Sequence, residues 1–428
     1  MKNKELLINL VICGMCLGTG WAIRGQFGHE QGAAWAGAIG GLSLILIAKR
    51  QDWYQKAFQV ALAAAIGWGV SGIISYGVII GYGRHTDLGN VFYGFLMLLI
   101  IGLLYGFVGG GLVGLVLSER KEKPIQWPAL ICEMTVGGII FYYFLIEQIG
   151  WLMTPPRSEA WAICLGIAAA IFWYMIRNKH YAALRVAVFA GFGAGFGFAF
   201  GNFLQTLGAA AEIKFNFWNV MEYSIGFFGG VGMAYGTLTS QWEQSETTVQ
   251  KKTLLLPILT ITLLIPFIVW DQSMSVKKLT RNILRADSVV DNFPLIYYMQ
   301  GISLLLVIAF AAYSIYYFYY KKSSTFELVY KEIRAFFLTL LTIYTTYSLL
   351  ITYSFLSTKR PEQYLYIVNI VAIAWLLKQY PQSISIPERG INPGKWSINL
   401  AFTVVIILLL AAVAVSSHDG LRGAESRF

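Results

Sequence analysis

Residues 24–32, Arg24-Gly25-Gln26-Phe27-Gly28-His29-Glu30-Gln31-Gly32, hold the densest reactive chemistry in the chain. A guanidinium, an imidazole and a carboxylate stand there between two apolar runs, 6–23 and 33–48. Charges beside hydrocarbon are costly, so they are expected to pair, to reach water or to serve function. The glycines let the backbone turn tightly and approach a ligand closely. Arg24 can grip a carboxylate or phosphate through two parallel hydrogen bonds. If the chemistry is catalytic, His29 and Glu30 are the acid/base pair.

Similar polar sets recur between later apolar runs. Arg84, His85 and Asp87 lie together, followed by Arg157 with Glu159 and Glu212 with Lys214. Glu147 and Gln148 end one run, Asn202, Gln205 and Thr206 end another, and Glu222 begins the next. The expected substrate-binding set is Arg24, Gln26, His29, Glu30, Arg84, His85, Asp87, Glu147, Gln148, Asn202 and Gln205. Trp21, Phe27, Trp35, Trp68, Tyr76, Tyr82 and Trp151 offer faces on which a planar ligand can stack. This lining suits a small polar or anionic solute, such as a sugar or sugar acid. The plainer alternative is that each arginine–acid pair is a local salt bridge and the aromatic residues are interfacial anchors.

His29, Glu30, His85 and Asp87 would also give nitrogen and oxygen ligands for zinc or iron. No H-E-x-x-H helix or Cys/His cluster supports that reading, so neither metal nor cofactor is expected. Cys13, Cys16, Cys132 and Cys164 all fall inside apolar runs and read as small packing residues, not disulfides.

The elements that must position these groups are membrane helices. Apolar residues make up 57% of the chain and charged residues 13%, and no polar stretch is long enough for a soluble domain. At roughly 20 residues per span, the fold class is an all-α polytopic membrane protein with about 13 transmembrane helices, within a range of roughly 12–14. They fall near 6–23, 32–48, 57–81, 91–117, 128–150, 160–176, 183–207, 217–240, 254–270, 294–320, 333–356, 364–380 and 397–416. Lysine and arginine concentrate in alternate loops, including Lys49, Arg50, Arg120, Lys123, Arg177, Lys179 and Arg185. The bias predicts a bacterial-type inner membrane protein with a cytoplasmic N-terminus and an extracytoplasmic C-terminus. The net charge of +10 then reads as attraction to the inner leaflet and not as nucleic-acid binding. Lys2 and Lys4 before 6–23 resemble a signal peptide, but no A-x-A-type site follows, so the first helix is expected to stay uncleaved.

Two regions differ in composition. Residues 1–250 form a glycine-rich bundle read as four repeated helical hairpins that carry the polar site. Three of them share a signature: Gly37-Ala-Ile-Gly40-Gly41, Gly106-Phe-Val-Gly109-Gly110 and Gly226-Phe-Phe-Gly229-Gly230. Glycines at this spacing let helices pack closely in lipid. The dinucleotide-like Gly67-x-Gly69-x-x-Gly72 lacks a strand–turn–helix context and is read the same way. Residues 251–428 are aromatic-rich supporting helices with an outer loop at 271–293, in which 274–290 has the pattern of an amphipathic helix. Glu133, near the end of its span, is either an ion-coupling group or an interfacial acid.

These features lead to the expectation of a secondary transporter for a small polar or anionic solute, with its site facing outward. Polytopic chains of this size with internal repeats are commonly carriers, and no G-x-x-x-x-G-K-[ST] loop provides for ATP. The alternative is a membrane-embedded glycosyl, acyl or phosphoryl transferase or hydrolase with a periplasm-facing arginine, histidine and carboxylate site. An assembly subunit is a third possibility. The expected partners are the solute and the bilayer, with no nucleic acid.

Overall fold

Backbone-to-backbone packing at glycine organises the first half of the chain. In the computed structural model, residues 2–244, 249–286, 293–322, 325–379 and 390–428 are described. The helices there are α1 Lys2–Arg24, α2 His29–Ala48, α3 Gln51–Tyr54, α4 Ala57–Ser71, α5 Gly77–Tyr82, α6 Leu88–Ser118, α7 Trp127–Tyr142, α8 Ala160–Arg177, α9 Tyr181–Ala210 and α10 Phe217–Leu238. The second half adds α11 Leu255–Leu259, α12 Ile265–Ser273, α13 Val276–Ala286, α14 Phe293–Ile315, α15 Tyr330–Ile351, α16 Glu362–Gln379 and α17 Pro393–Ser416. The only described strands are a two-residue antiparallel pair, with Val249 opposite Phe326.

Ten described helices are long and apolar enough to cross a membrane: Lys4–Arg24, His29–Ala48, Leu88–Ser118, Trp127–Gln148, Ala160–Arg177, Tyr181–Ala210, Leu255–Ser273, Pro294–Lys321, Tyr330–Ile351 and Pro393–Ser416. The sequence count of about 13 is higher than these ten. The run 57–81 breaks at 72–76, leaving the 15-residue α4 and the 6-residue α5. Helices α10 and α16 form as expected, but Asn219 and Glu222 in one, and Glu362, Gln363 and Asn369 in the other, dilute their apolar character.

The three glycine signatures make the same kind of contact. Gly37 and Gly41 of α2 face Ala64 and Val60 of α4, Gly106 and Gly110 of α6 face Ala190 and Val186 of α9, and Gly226 and Gly230 of α10 face Leu17 and Cys13 of α1. A methyl group added at any of these six positions would come closer than 3.0 Å to the facing helix. Helices α1, α2, α4, α6, α9 and α10 thus close a ring, each packed on the next and α10 packed back on α1. The middle glycine of each signature faces another way: Gly40 lies against Leu17 of α1, Gly109 against Trp68 of α4, and Gly229 against Trp68 and Ala194 of α9. Helices α7 and α8 pair outside this ring, and Arg177 of α8 bonds Glu133 of α7 at 2.6 Å. Glu133 is thereby engaged in an ion pair.

The aromatic half packs on the ring through α12, α15, α16 and α17. Tyr344 stacks on Trp35 with centroids 4.5 Å apart, and its hydroxyl donates to the Gly32 carbonyl at 2.9 Å. The expected amphipathic segment is helical over Val276–Ala286. It buries Leu279 and Ile283 and exposes Lys277, Arg281 and Arg285, while 287–290 lies outside the described residues.

Candidate functional site

Arg24 is the last residue of α1, and its helix delivers it into the interior, where it is 1% exposed. A buried guanidinium needs acceptors, and three elements supply them. From α10, Glu222 accepts from Nη1 with both oxygens at 3.1 Å. From the break after α4, the Tyr76 hydroxyl accepts from Nη1 at 2.9 Å and the Gly72 carbonyl accepts from Nη2 at 3.5 Å. From the start of α2, His29 Nδ1 lies 3.0 Å from Nη2. A guanidinium has no lone pair to offer, so Nδ1 must accept, and a neutral His29 carries its proton on Nε2. Tyr76 in turn donates to Glu222 Oε1 at 2.5 Å. The guanidinium also lies over the Trp21 ring at 4.9 Å, a favourable cation–π arrangement.

This cluster forms the inner wall of a cavity of about 470 Å³. Gly25, Gln26, Phe27 and His29 line it from the first loop, Ser75, Tyr76 and Gly77 from the helix break, and Arg157 from the third loop. Asn216, Trp218, Asn219 and Glu222 line it from the fourth loop and α10, and Arg360 comes from the second half of the chain. Glu222 offsets Arg24, whereas Arg157 and Arg360 form no ion pair among the described residues. Arg360 donates to Gln26 Oε1 at 3.0 Å. The lining therefore holds a surplus of two positive charges beside neutral donors and acceptors, the electrostatics of an anion site.

Below Arg24 the interior turns aromatic. Trp21, Trp68, Tyr105 and Phe198 are fully buried. Trp21 meets Trp68 edge-on at 5.1 Å and Tyr105 at 5.4 Å, and Phe198 lies 6.0 Å from Tyr105. These rings pack behind Arg24 and Tyr76 and do not line the cavity themselves.

Of the residues expected from sequence, Arg24, Gln26 and His29 line the cavity together. Glu30 is exposed on the first turn of α2 and does not line it. Arg84, Asn202 and Gln205 gather nearby in a second cluster. The Gln205 amide lies 3.2 Å from both Trp218 Nε1 and an Arg84 nitrogen, which are donors, so its oxygen faces them. Trp218 is shared with the cavity wall. Arg84 also donates to the Arg422 carbonyl at 3.3 Å. Asp87 caps α6 by accepting from Asn90 N at 2.9 Å, and this bond, first among several, holds its carboxyl below the usual range. His85 accepts from Asp87 N at 2.9 Å. Glu147 and Gln148 are exposed in a π-helical turn after α7, away from the cavity. Among the described residues, no three His, Cys, Asp or Glu groups stand close enough to hold a metal ion, and His29 and His85 have separate partners.

Sequence reasoning left Glu222, Tyr76, Asn219, Trp218 and Arg360 outside the expected set. Glu222 had a signal, an acid one turn inside an apolar helix. Arg360 had none, because its role depends on the second half folding over the first loop.

A family model, DUF3464, described as "Photosynthesis affected mutant 68", matches residues 164–248. The match runs from within α8 through α10 and covers a minor part of the chain, so it does not assign the family. No curated protein and no solved structure matches the chain.

Proposed function

We propose that this protein is a membrane carrier for a small anionic polar solute, which enters the cavity beside Arg24. The observation that carries the reading is the interrupted helix α4–α5. Its break supplies Gly72 O and Tyr76 to the buried Arg24–Glu222 pair and lines the cavity with Ser75, Tyr76 and Gly77. Substrate sites of secondary carriers form at such breaks, between repeated units. The contacts of the three glycine signatures support an internal threefold repeat, in which α1–α2, α4–α6 and α9–α10 are equivalent hairpins and α7–α8 stands apart. The basic residues at the opposite helix ends support an inner-membrane orientation with the cavity facing outward. Arg157 and Arg360 attract the anion, Gln26, Asn216 and Asn219 bond its hydroxyls, and Arg24 sits at the depth limit.

A second reading is a membrane-embedded enzyme. The fully buried rings packed behind Arg24 favour it, because a pocket closed on its inner side serves catalysis. In that case the Nε2–H of a neutral His29 is a proton donor beside Glu222 and Tyr76.

Reconstitution separates the two. Proteoliposomes containing the full chain would be assayed for uptake of labelled sugar acids and short carboxylates. The expected result is saturable uptake of intact solute, reduced at least tenfold in the Arg157→Ala/Arg360→Ala variant. Solute that binds without accumulating, and returns chemically altered, would replace the carrier with the enzyme. Uptake unaffected by the double variant would remove the cavity from the pathway.

A further inference from the structure

A second cavity, of about 800 Å³, opens at the opposite ends of the ring helices, walled by Ser118, Arg120, Lys123, Lys179, His180 and Arg185. The only acid among the described residues of its lining is Glu243, which Arg120 engages. Arg185, 4% exposed, is braced by Ser240 Oγ at 3.0 Å and Thr239 Oγ1 at 2.8 Å. Such bracing fixes the guanidinium as part of the wall.

His180 is also 4% exposed. Its ring stacks on Tyr174 at an interplanar angle of 6°, and Nδ1 lies 3.0 Å from Ser118 Oγ. The Ser118 hydroxyl donates to the Leu115 carbonyl at 2.9 Å, so it accepts from His180 Nδ1–H. Nε2 is then left without a hydrogen-bond partner among the described residues, in a wall of cations. The first two residues of α9, Tyr181 and Ala182, line the same space, and no side chain caps that helix. Free N–H groups at a helix start add to the attraction for an anion.

The cavity adjoins an apolar groove of about 450 Å³, and the two share Tyr181 and Ile391. The groove runs between α6, α8, α9 and α17 and is lined by Phe107, Phe172, Ile176, Val188, Trp396 and Leu400. A basic pocket at the end of membrane helices, joined to an apolar channel along them, has the two-part chemistry of an anionic lipid. We propose that the joined cavities hold one anionic phospholipid, with its phosphate among Lys123, Lys179 and His180 and an acyl chain in the groove. Glu243 and its ion pair with Arg120 form the rim. The lipid ties α17 to α6 and α9.

Native mass spectrometry of the delipidated full chain, titrated with phosphatidylglycerol, phosphatidylcholine or inorganic phosphate, tests this. The expected result is one phosphatidylglycerol bound at least tenfold more tightly than phosphatidylcholine. The Lys123→Ala/Lys179→Ala variant, which alters one half-buried and one exposed lysine, should lose at least tenfold of that affinity. Equal binding of both lipids, or an unchanged variant, would overturn the proposal. Thermal stabilisation by inorganic phosphate alone, matching that by phosphatidylglycerol, would identify a free-phosphate site and overturn the lipid assignment. Lipid selectivity of the unaltered protein decides the matter even if the variant does not fold.

Discussion

At the scale of single residues, the Arg24–Glu222 pair is the most exposed to perturbation because neither partner can reach water. Removing one side of a buried ion pair leaves the other uncompensated and costs roughly 3–5 kcal/mol. Glu222→Gln should therefore lower thermal stability sharply in detergent. Arg24→Met/Glu222→Leu should be less damaging than the sum of its single changes, because no orphaned charge remains. A thermal-denaturation double-mutant cycle measures the difference, and strict additivity would mean that the two groups do not act as a pair. Tyr76→Phe removes a donor to Glu222 and an acceptor for Arg24 but leaves both charges, so its stability cost should be about 1.5–3 kcal/mol, below that of Glu222→Gln. Arg24→Ala is a poor functional probe for the same reason, since it perturbs folding as well as binding. Arg157 and Arg360, which are not buried, separate the two effects. Glu30→Gln should leave solute affinity unchanged, because Glu30 is exposed and does not line the cavity; a tenfold loss in a binding titration would put it back in the site.

At the scale of elements, helix approach is set by what the glycines lack. Gly106→Ala places a methyl against the Ala190 carbonyl, whereas Gly301→Ala on α14 meets nothing within 4 Å. Overpacking of this kind costs about 1–3 kcal/mol, and an unobstructed Gly→Ala change stabilises by about 0.4–1 kcal/mol. The two variants should shift the melting temperature in opposite directions, and equal shifts would mean that the α6–α9 approach is loose. This is also where sequence reading succeeded and failed. Helix positions and the three signatures were legible because apolar runs and glycine spacing are local properties. The partner of each signature was not, since nothing local shows that Gly226 meets Leu17 across the whole first half. The break at 72–76 was hidden inside an apolar run, because Ile73, Ile74 and Val78 continue the hydropathy through it. The first loop was legible as a candidate because its polar groups are crowded. Arg360 was not, because it lies in an ordinary loop whose neighbours come from elsewhere in the fold.

At the scale of the molecule, the two ends of the ring carry different electrostatics. The cavity end offsets its buried cation with Glu222, while the other end carries more bases than acids among the described residues, several of them paired. Lys56 lies half-buried at that end and donates to the Val116 carbonyl at 3.3 Å. Burial first, and then Arg50 and Arg120 nearby, pull its ammonium down to about 8, with Glu119 and Asp52 opposing. The unfolded chain holds that proton up to its ordinary value of 10.5. Between those two values the unfolded state binds more protons, so stability rises with pH there and is lost as pH falls through about 8. Lys49 is likewise held down to about 8, mainly by burial, so the two lysines act in the same window. Melting temperature in detergent should therefore rise from pH 7.5 toward pH 9.5, and Lys49→Met/Lys56→Met should flatten that rise. The comparison isolates the lysines, because other groups titrate alike in both proteins. Parallel pH curves would mean that the basic face accommodates its charge without strain. An anionic lipid bound at this face would act in the opposite sense, favouring the charged lysines and shrinking the pH response of the unaltered protein. Measuring the slope with and without phosphatidylglycerol therefore tests whether the charge imbalance of this end is matched by the membrane rather than by the chain.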